Sequence, residues 1–159
     1  MARISASYEV DMEAINGPKA ALFRSIGAGS KYQFLCPRNI VTADMTREEE
    51  LEARLLEIGF DQSIPTNVLA EGLIMYLGAK QERFLEGVSR IVFASGSWLI
   101  PNLFDHPELT AERVRELLVQ GGWKDLVINS FEDDVLNYGR FDKSYKPSKD
   151  ISFVVCRKD

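Results

Sequence analysis

Three carboxylate side chains of this 159-residue chain come at the ends of short apolar segments that have the length and composition of β-strands. They are Asp11, Asp44 and Glu71. Because the carboxyl ends of parallel strands lie at one edge of a sheet, the three carboxylates could line a common crevice. A carboxylate at such an edge can accept hydrogen bonds from both hydroxyls of a ribose. The spacing therefore predicts a site for a nucleotide-containing ligand.

Two predicted loops carry further side chains that could act on a substrate. His106 is the only histidine and precedes a proline, which severely limits catalytic triads and histidine-based metal sites. It is interpreted either as an exposed loop residue or as a substrate contact or general base, because imidazole titrates near neutral pH. Tyr138 and Arg140 lie in a polar turn, interpreted either as a surface turn or as part of the site. The catalytic residue is thus unassigned, with these three as candidates, and no metal site is expected.

Alternating strand and helix patterns predict the elements that hold these residues. The strand–helix pattern repeats several times and ends with two adjacent strands, residues 123–131 and 151–156, with no helix predicted between them. It predicts an α/β fold with a mainly parallel, doubly wound sheet and an antiparallel C-terminal strand pair. The chain is expected to form a single domain over residues 1–159.

Local signals predict where individual elements begin and end. Thr46 and Thr110 are predicted to cap the helices that follow them. The Gly-Pro pair at 17–18 predicts a late start or a break in the first helix. Residues 91–99 are apolar enough to form a central strand. The glycines within 26–30 follow a predicted helix rather than a strand, which argues against a cofactor-binding glycine loop there.

Composition excludes several classes of protein. The chain has 19 Lys and Arg against 24 Asp and Glu, a net charge of −5, which leaves no basic stripe for nucleic acid. No apolar run approaches the roughly 20 residues of a membrane helix, and the N-terminus lacks the apolar centre of a signal peptide. Cys36 and Cys156 lie far apart, so both thiols are expected to be buried and unpaired. We expect a cytoplasmic protein that binds neither nucleic acid nor membranes.

Several segments, in the right order, resemble the leucine carboxyl methyltransferase family of S-adenosylmethionine (SAM)-dependent class I O-methyltransferases. The most specific match is Ala-Glu-Gly-Leu-Ile-Met-Tyr-Leu at 70–77, which resembles the family's Glu-Gly-x-x-x-Tyr-Leu segment. Tyr-Glu-Val-Asp at 8–11 resembles its second strand, and Ala-Asp-Met at 43–45 resembles the end of its third strand. Further matches are Gly122-Trp123, residues 137–140 and residues 152–155. The resemblance covers residues 8–157.

This resemblance implies a Rossmann-like methyltransferase fold with SAM as cofactor, and it gives each matching residue a role. Asp11 would hold the ribose, Asp44 and Met45 the adenine, and Glu71 the methionine part of SAM, with Tyr76 nearby. The implied reaction is in-line transfer of the SAM methyl group to an oxygen. The acceptor would be a carboxylate or a hydroxyl of a small-molecule or protein substrate.

The sequence departs from the family pattern at its start. Family members have a first strand followed by a Gly-x-Gly loop that cradles SAM, and this strand lies between the second and the fourth. The present chain is expected to begin at the second strand, which would leave a gap in backbone pairing. One alternative is an active methyltransferase, in which a homodimer could complete the sheet. A second is a truncated, catalytically inactive methyltransferase-like domain that binds a partner protein through its exposed sheet edge. A third is some other nucleotide-binding α/β domain.

Overall fold

The computed structural model describes residues 5–28, 36–91, 93–104, 109–130, 133 and 151–159. The chain divides into two compact units, Met1–Asp61 and Gln62–Asp159. Each unit has its own sheet. A single domain spanning 1–159 stays a prediction.

The first unit contains two strands and two helices in alternation. They are β1 (Ser7–Asp11), α1 (Glu13–Ser25), β2 (Arg38–Thr42) and α2 (Glu48–Glu57). β1 and β2 pair in parallel, with Ser7 opposite Arg38 and Asp11 opposite Thr42. Both strands therefore end at the same edge of this two-stranded sheet, as the strand–helix pattern predicts.

α1 differs from its predicted form in two respects. The helix runs without a break from Glu13 through Pro18 to Ser25, so the predicted late start or break is wrong. Pro18, in the second turn, has no backbone N–H to donate, but the helix continues on both sides of it. The only side chain that α1 buries is Asn16, whereas Ile15 and Leu22 are 46% and 59% exposed. The apolar periodicity of this segment is therefore not a core face.

The second unit holds the remaining elements. They are β3 (Asn67–Ala70), two 3₁₀ turns (Ile74–Tyr76 and Gly78–Lys80), α3 (Gln81–Arg90), β4 (Trp98–Phe104), α4 (Ala111–Gln120), β5 (Trp123–Ser130) and β6 (Ile151–Lys158). The sheet order is β3-β4-β6-β5. β3 and β4 are parallel, whereas β6 is antiparallel to both of its neighbours, β4 and β5. The predicted antiparallel C-terminal pair is confirmed.

The core of the second unit comes from α3, α4 and the sheet. Leu85 on α3 and Val114 and Leu118 on α4 are fully buried, together with Leu99 and Trp123 from the strands. Full burial of a side chain of this size contributes about 1.5–3 kcal/mol. These apolar faces match the periodicity of the sequence, so both helices were predictable.

β4 is displaced from its predicted position at 91–99. Gly96 adopts a φ of +84°, and Ser97 donates its N–H to Ala94 O at 3.1 Å, so a turn occupies this segment. The strand starts at Trp98 and continues through Pro101, which lies opposite Ala70 of β3. Because proline ordinarily ends a central strand, the end of this strand was predicted before Pro101, at residue 99, whereas β4 continues to Phe104.

The two thiols differ in their environments. Cys156 on β6 is fully buried and donates to Leu99 O at 3.7 Å, whereas Cys36 is half-buried. Burial raises the pKa of the Cys156 thiol to about 12. The expectation of a buried thiol is confirmed for Cys156 and wrong for Cys36.

Candidate cofactor-binding site

Asp11 is the last residue of β1 and is half-buried. Its Oδ1 accepts the N–H of Met12 at 2.9 Å, which fixes the orientation of the carboxylate at the strand end. Its backbone oxygen accepts from Ala43 N at 3.2 Å and from Asn16 Nδ2 at 3.0 Å. Asp11 is thus held by the strand, the following turn and α1.

Asp44 and Met45 lie in the turn between β2 and α2, and both are half-buried. Asp44 Oδ1 accepts from the backbone N of Thr46 at 2.9 Å and from its Oγ1 at 2.7 Å. Thr46 is 7% exposed and does not cap α2, since the capping position falls at Arg47, which makes no side-chain cap. The predicted capping role of Thr46 is wrong, because its hydroxyl orients the Asp44 carboxylate instead.

Asp11 therefore lies at, and Asp44 just beyond, the carboxyl ends of two hydrogen-bonded parallel strands in one sheet. This is the edge at which open α/β sheets bind ligands. Each carboxylate accepts a hydrogen bond from a nearby backbone N–H, so its orientation is set before any ligand binds. The first unit thus has a polar rim with two pre-oriented carboxylates.

Glu71 directly follows β3 in the second unit, and its side chain is exposed. Gly72 then turns the chain with a φ of +66°, a conformation that favours glycine. The Gly72 N–H donates to Asn102 Oδ1 on β4 at 2.7 Å, which ties the turn to the neighbouring strand. Tyr76 ends a short 3₁₀ turn and is 83% exposed.

Glu9, two residues before Asp11, forms an ion cluster with Lys19 and Arg38. Its carboxylate accepts from Lys19 Nζ, from Arg38 Nε at 2.7 Å and from the Arg38 guanidinium a second time. Arg38 also lies 4.6 Å from the centre of the Phe23 ring. Partial burial acts to raise the pKa of Glu9, but the hydrogen bonds from Lys19 and Arg38 outweigh it and the pKa falls below its usual value. The cluster joins β1, β2 and α1.

The remaining candidates, His106, Tyr138 and Arg140, lie outside the described residues. Of residues 26–30, the first three are described and follow the end of α1, in agreement with the argument against a cofactor loop there. In the described part of the chain no group of His, Cys, Asp and Glu could hold a metal ion. No described helix has the length and apolar character required to cross a membrane.

The chemistry of these residues fits the parts of SAM that the resemblance assigns to them. Asp11, Asp44 and Glu71 are hydrogen-bond acceptors when ionised. The ribose hydroxyls, the adenine amino group and the methionine ammonium group are donors. Each assignment therefore pairs an acceptor of the chain with a donor of SAM. These assignments, and a common site for all three carboxylates, stay predictions.

Sequence reasoning missed the roles of three polar residues that lie beside these carboxylates. Asn16 and Asn102 are 3% and 8% exposed and bind backbone groups next to Asp11 and Glu71, respectively. Thr46 orients Asp44. The Asp-x-Thr spacing was a usable signal for an Asx turn. The two asparagines had no such signal, because their partners are distant in the chain.

Comparison with known proteins identifies the family. The family model described as leucine carboxyl methyltransferase matches residues 3–88, more than half of the chain. A relative from Mycobacterium marinum, named as a proposed SAM-dependent methyltransferase, is 32% identical over 114 residues. A relative from Parafrankia with the same kind of name is 37% identical over 110 residues. Each alignment covers 69% of this chain, and the chain spans about a third of these relatives' length, 34% and 33%.

Solved structures give the fold. A DUF574 family protein from Streptomyces avermitilis has a TM-score of 0.66 at 17% identity, covering 99% of this chain and 67% of that one. A SAM-dependent methyltransferase from Methanosarcina mazei has a TM-score of 0.52 at 14% identity, covering 96% and 81%. The CurJ carbon methyltransferase has a TM-score of 0.57 at 14% identity, covering 94% and 40%. The expected class I, Rossmann-like methyltransferase fold is confirmed.

The matches agree with the resemblance in family and in cofactor. The resemblance implies SAM as the cofactor, and the names of both relatives give the same cofactor. Among the described residues, β1 pairs only with β2 and β3 only with β4. This chain belongs to the leucine carboxyl methyltransferase family.

Proposed function

We propose that this chain forms part of a SAM-dependent O-methyltransferase that transfers a methyl group to a carboxylate or to a hydroxyl of a small molecule. The observation that carries the proposal is the pair of pre-oriented carboxylates, Asp11 and Asp44, at the carboxyl edge of β1 and β2. Family membership supports the same assignment.

Each proposed contact follows from the chemistry of its residue. Asp11 accepts the ribose hydroxyls, and Asp44 accepts from the adenine amino group beside Met45. Glu71 accepts from the methionine ammonium group, with Tyr76 close by. Asp11 and Asp44 are held by local hydrogen bonds, so little side-chain entropy is lost when they bind.

The acid–base chemistry required of the chain depends on the methyl acceptor. When bound, SAM supplies an electrophilic methyl group on a sulfonium sulfur. The acceptor oxygen forms a bond to that carbon as the carbon–sulfur bond breaks, and the bonding electron pair stays on sulfur. A carboxylate acceptor is already ionised near neutral pH, so positioning suffices. A hydroxyl acceptor must lose its proton, and His106 or a carboxylate would be the base.

A homodimer that completes the sheet is part of the proposal. The support comes from β3, which among the described residues pairs on one side only and carries Leu69 at 67% exposure. An unpaired edge of this kind can bind another strand. Light scattering of the purified chain across a concentration series would give the mass and thus test for a dimer.

The test of SAM binding is the stabilisation of the folded chain by S-adenosylhomocysteine (SAH), the demethylated product. A ligand at about 100 times its dissociation constant stabilises the native state by about 2.7 kcal/mol. We expect Asp11→Asn and Glu71→Gln to reduce this stabilisation. Glu57→Gln is the control, because Glu57 is exposed and pairs with Arg54 away from the strand ends. No stabilisation of the wild type at millimolar SAH would reject the enzyme in favour of a catalytically inactive, protein-binding domain.

A further inference from the structure

Asn16 has a position unusual for an amide. It is 3% exposed and is the single residue that α1 buries, where an apolar side chain would be expected. Burying an amide is costly unless its groups are hydrogen-bonded. Its Nδ2 donates to Asp11 O at 3.0 Å, to Val41 O at 3.1 Å and, more weakly, to Thr42 Oγ1 at 3.3 Å.

These acceptors lie at one place in the sheet. Asp11 ends β1 and pairs with Thr42, the last residue of β2, while Val41 comes just before it. The amide of Asn16 therefore bridges the carboxyl ends of the two strands. The first of these ends is Asp11 itself, and the second leads within two residues to Asp44.

The bridge is not needed to satisfy the backbone oxygen of Asp11. Asp11 O already accepts the N–H of Ala43 at 3.2 Å, so only the second lone pair depends on Asn16. In addition, Asn16 Oδ1 is buried and has no hydrogen-bond partner in the described part of the protein. A buried unsatisfied polar atom costs about 1–3 kcal/mol. A leucine could fill the same space without this cost, so stability alone does not account for an asparagine here.

We propose that Asn16 is a positioning residue that sets the spacing between the strand ends carrying Asp11 and Asp44, and thereby the affinity for the adenosine part of the ligand. The inference rests on the proposed function, because it takes these carboxylates as the adenosine contacts. It adds a residue on a different element, α1, that does not itself touch the ligand.

The chain contains a matched control at the other end of the same strands. Asn39 on β2 donates its Nδ2 to Ser7 O on β1 at 3.3 Å, so it joins the amino ends of the strands that Asn16 joins at their carboxyl ends. Asn16→Leu and Asn39→Leu each remove one such amide bridge. Only the first lies beside the carboxylates.

The experiment measures the affinities of both variants for SAH and for adenosine, together with their unfolding free energies. We expect Asn16→Leu to weaken both ligands by about tenfold, the equivalent of one lost interaction of about 1.4 kcal/mol. Asn39→Leu should lower stability and leave both affinities within about twofold of wild type. Asn16→Asp has the same shape but turns a carboxylate oxygen toward two carbonyls, and we expect it to weaken adenosine at least as much.

Hydrogen exchange of the backbone amides tests the inference without ligand, so it also applies to a variant that no longer binds SAH or adenosine. In Asn16→Leu the Ala43 amide, which donates to Asp11 O, should exchange faster, whereas the Ser7 amide, which donates to Pro37 O at 2.8 Å, should be unchanged. Unchanged exchange at Ala43, or equal affinity losses in the Asn16 and Asn39 variants, would overturn the inference and leave the proposed function intact. A wild-type chain that binds neither SAH nor adenosine would overturn both.

Discussion

Glu9 shows how a single carboxylate can couple the stability of the first unit to pH. Its hydrogen bonds to Lys19 and Arg38 lower its pKa below the usual 4.5, although partial burial opposes the shift. A lowered pKa in the folded state gives stability that is present above the unfolded pKa and is lost as pH falls through the folded value. The cluster therefore stabilises the protein at neutral pH and fails in acid.

We expect Glu9→Gln to lower the free energy of unfolding by about 1–2 kcal/mol at pH 7, after allowance for solvent screening. The difference from wild type should be smaller at pH 3 than at pH 7, because the stabilisation is lost as the pH falls through the lowered pKa of Glu9. Urea denaturation at both pH values measures it. The matched Glu57→Gln, in an exposed pair, should change stability by less than about 0.5 kcal/mol. A difference that persists unchanged in acid would contradict the linkage.

The cysteines provide a second test at the residue scale. The raised pKa of Cys156, about 12, leaves it as a neutral thiol at pH 8, and its side chain is fully buried. Cys36 is half-buried. We expect iodoacetamide at pH 8 to label Cys36 in the native protein and to reach Cys156 only in denaturant, as measured by peptide mass spectrometry. Rapid native labelling of Cys156 would show that β6 opens more readily than its burial implies.

At the scale of elements, α4 is a helix whose first turn depends on one hydroxyl. Thr110 Oγ1 accepts the backbone N–H of Arg113 at 3.2 Å, the N-cap arrangement predicted from the sequence. We expect Thr110→Ala to cost about 1 kcal/mol of unfolding free energy and Thr110→Ser to restore most of it. Chemical denaturation of the wild type and the two variants measures these changes. Because Thr110→Ser removes only the methyl group, a loss of stability in this variant as large as in Thr110→Ala would indicate lost methyl packing rather than a lost cap.

The two threonines show how far the sequence predicts this protein. Both precede helices, yet Thr110 caps α4, whereas Thr46 binds the Asp44 carboxylate. An isolated pattern cannot decide between a helix N–H and a nearby carboxylate, because both satisfy the same hydroxyl. Local periodicity predicted the parallel and antiparallel strand pairs. It also predicted that the carboxylates lie at the ends of strands. The start of β4 and the buried Asn16 did not, since each depends on contacts with residues distant in the chain.

The two edges of the second sheet differ in their protection. β5 carries Lys124 and Asp125, the latter at a φ of +54°, and a register shift before Val127. Such features hinder the pairing of an edge with another strand. β3 has no charged residue and no proline among its four residues, and Leu69 is 67% exposed. Of the two outer edges that the described strands form in this sheet, the edge of β3 is therefore the one suited to strand addition.

We expect Leu69→Lys to lower the self-association of the purified chain, because a lysine on an edge strand disfavours edge-to-edge pairing. Val127→Lys is the matched control: Val127 is 50% exposed on β5, and its edge is already protected. Light scattering as a function of protein concentration measures the effect. Equal behaviour of the two variants would mean that general charge, rather than the β3 edge, controls association.

At the scale of the whole molecule, the net charge of −5 acts on any charged ligand beyond its direct contacts. SAM carries one more positive charge than SAH, on its sulfonium sulfur, and the two are otherwise alike apart from the methyl group. The screening length falls from about 30 Å at 0.01 M salt to about 3 Å at 1 M. Long-range attraction should therefore favour SAM over SAH at low salt and fade at high salt.

We expect the affinity for SAM to weaken several-fold more than that for SAH over this range of salt, because SAM has a net positive charge whereas the ammonium and carboxylate charges of SAH cancel. Calorimetric titration of both ligands in the same salt series measures the ratio of the two dissociation constants. Asp11→Asn and Glu71→Gln should each reduce the salt dependence of this ratio, since each removes one negative charge from the proposed site. A ratio independent of salt would mean that the protein distinguishes the two ligands by contact with the methyl group alone.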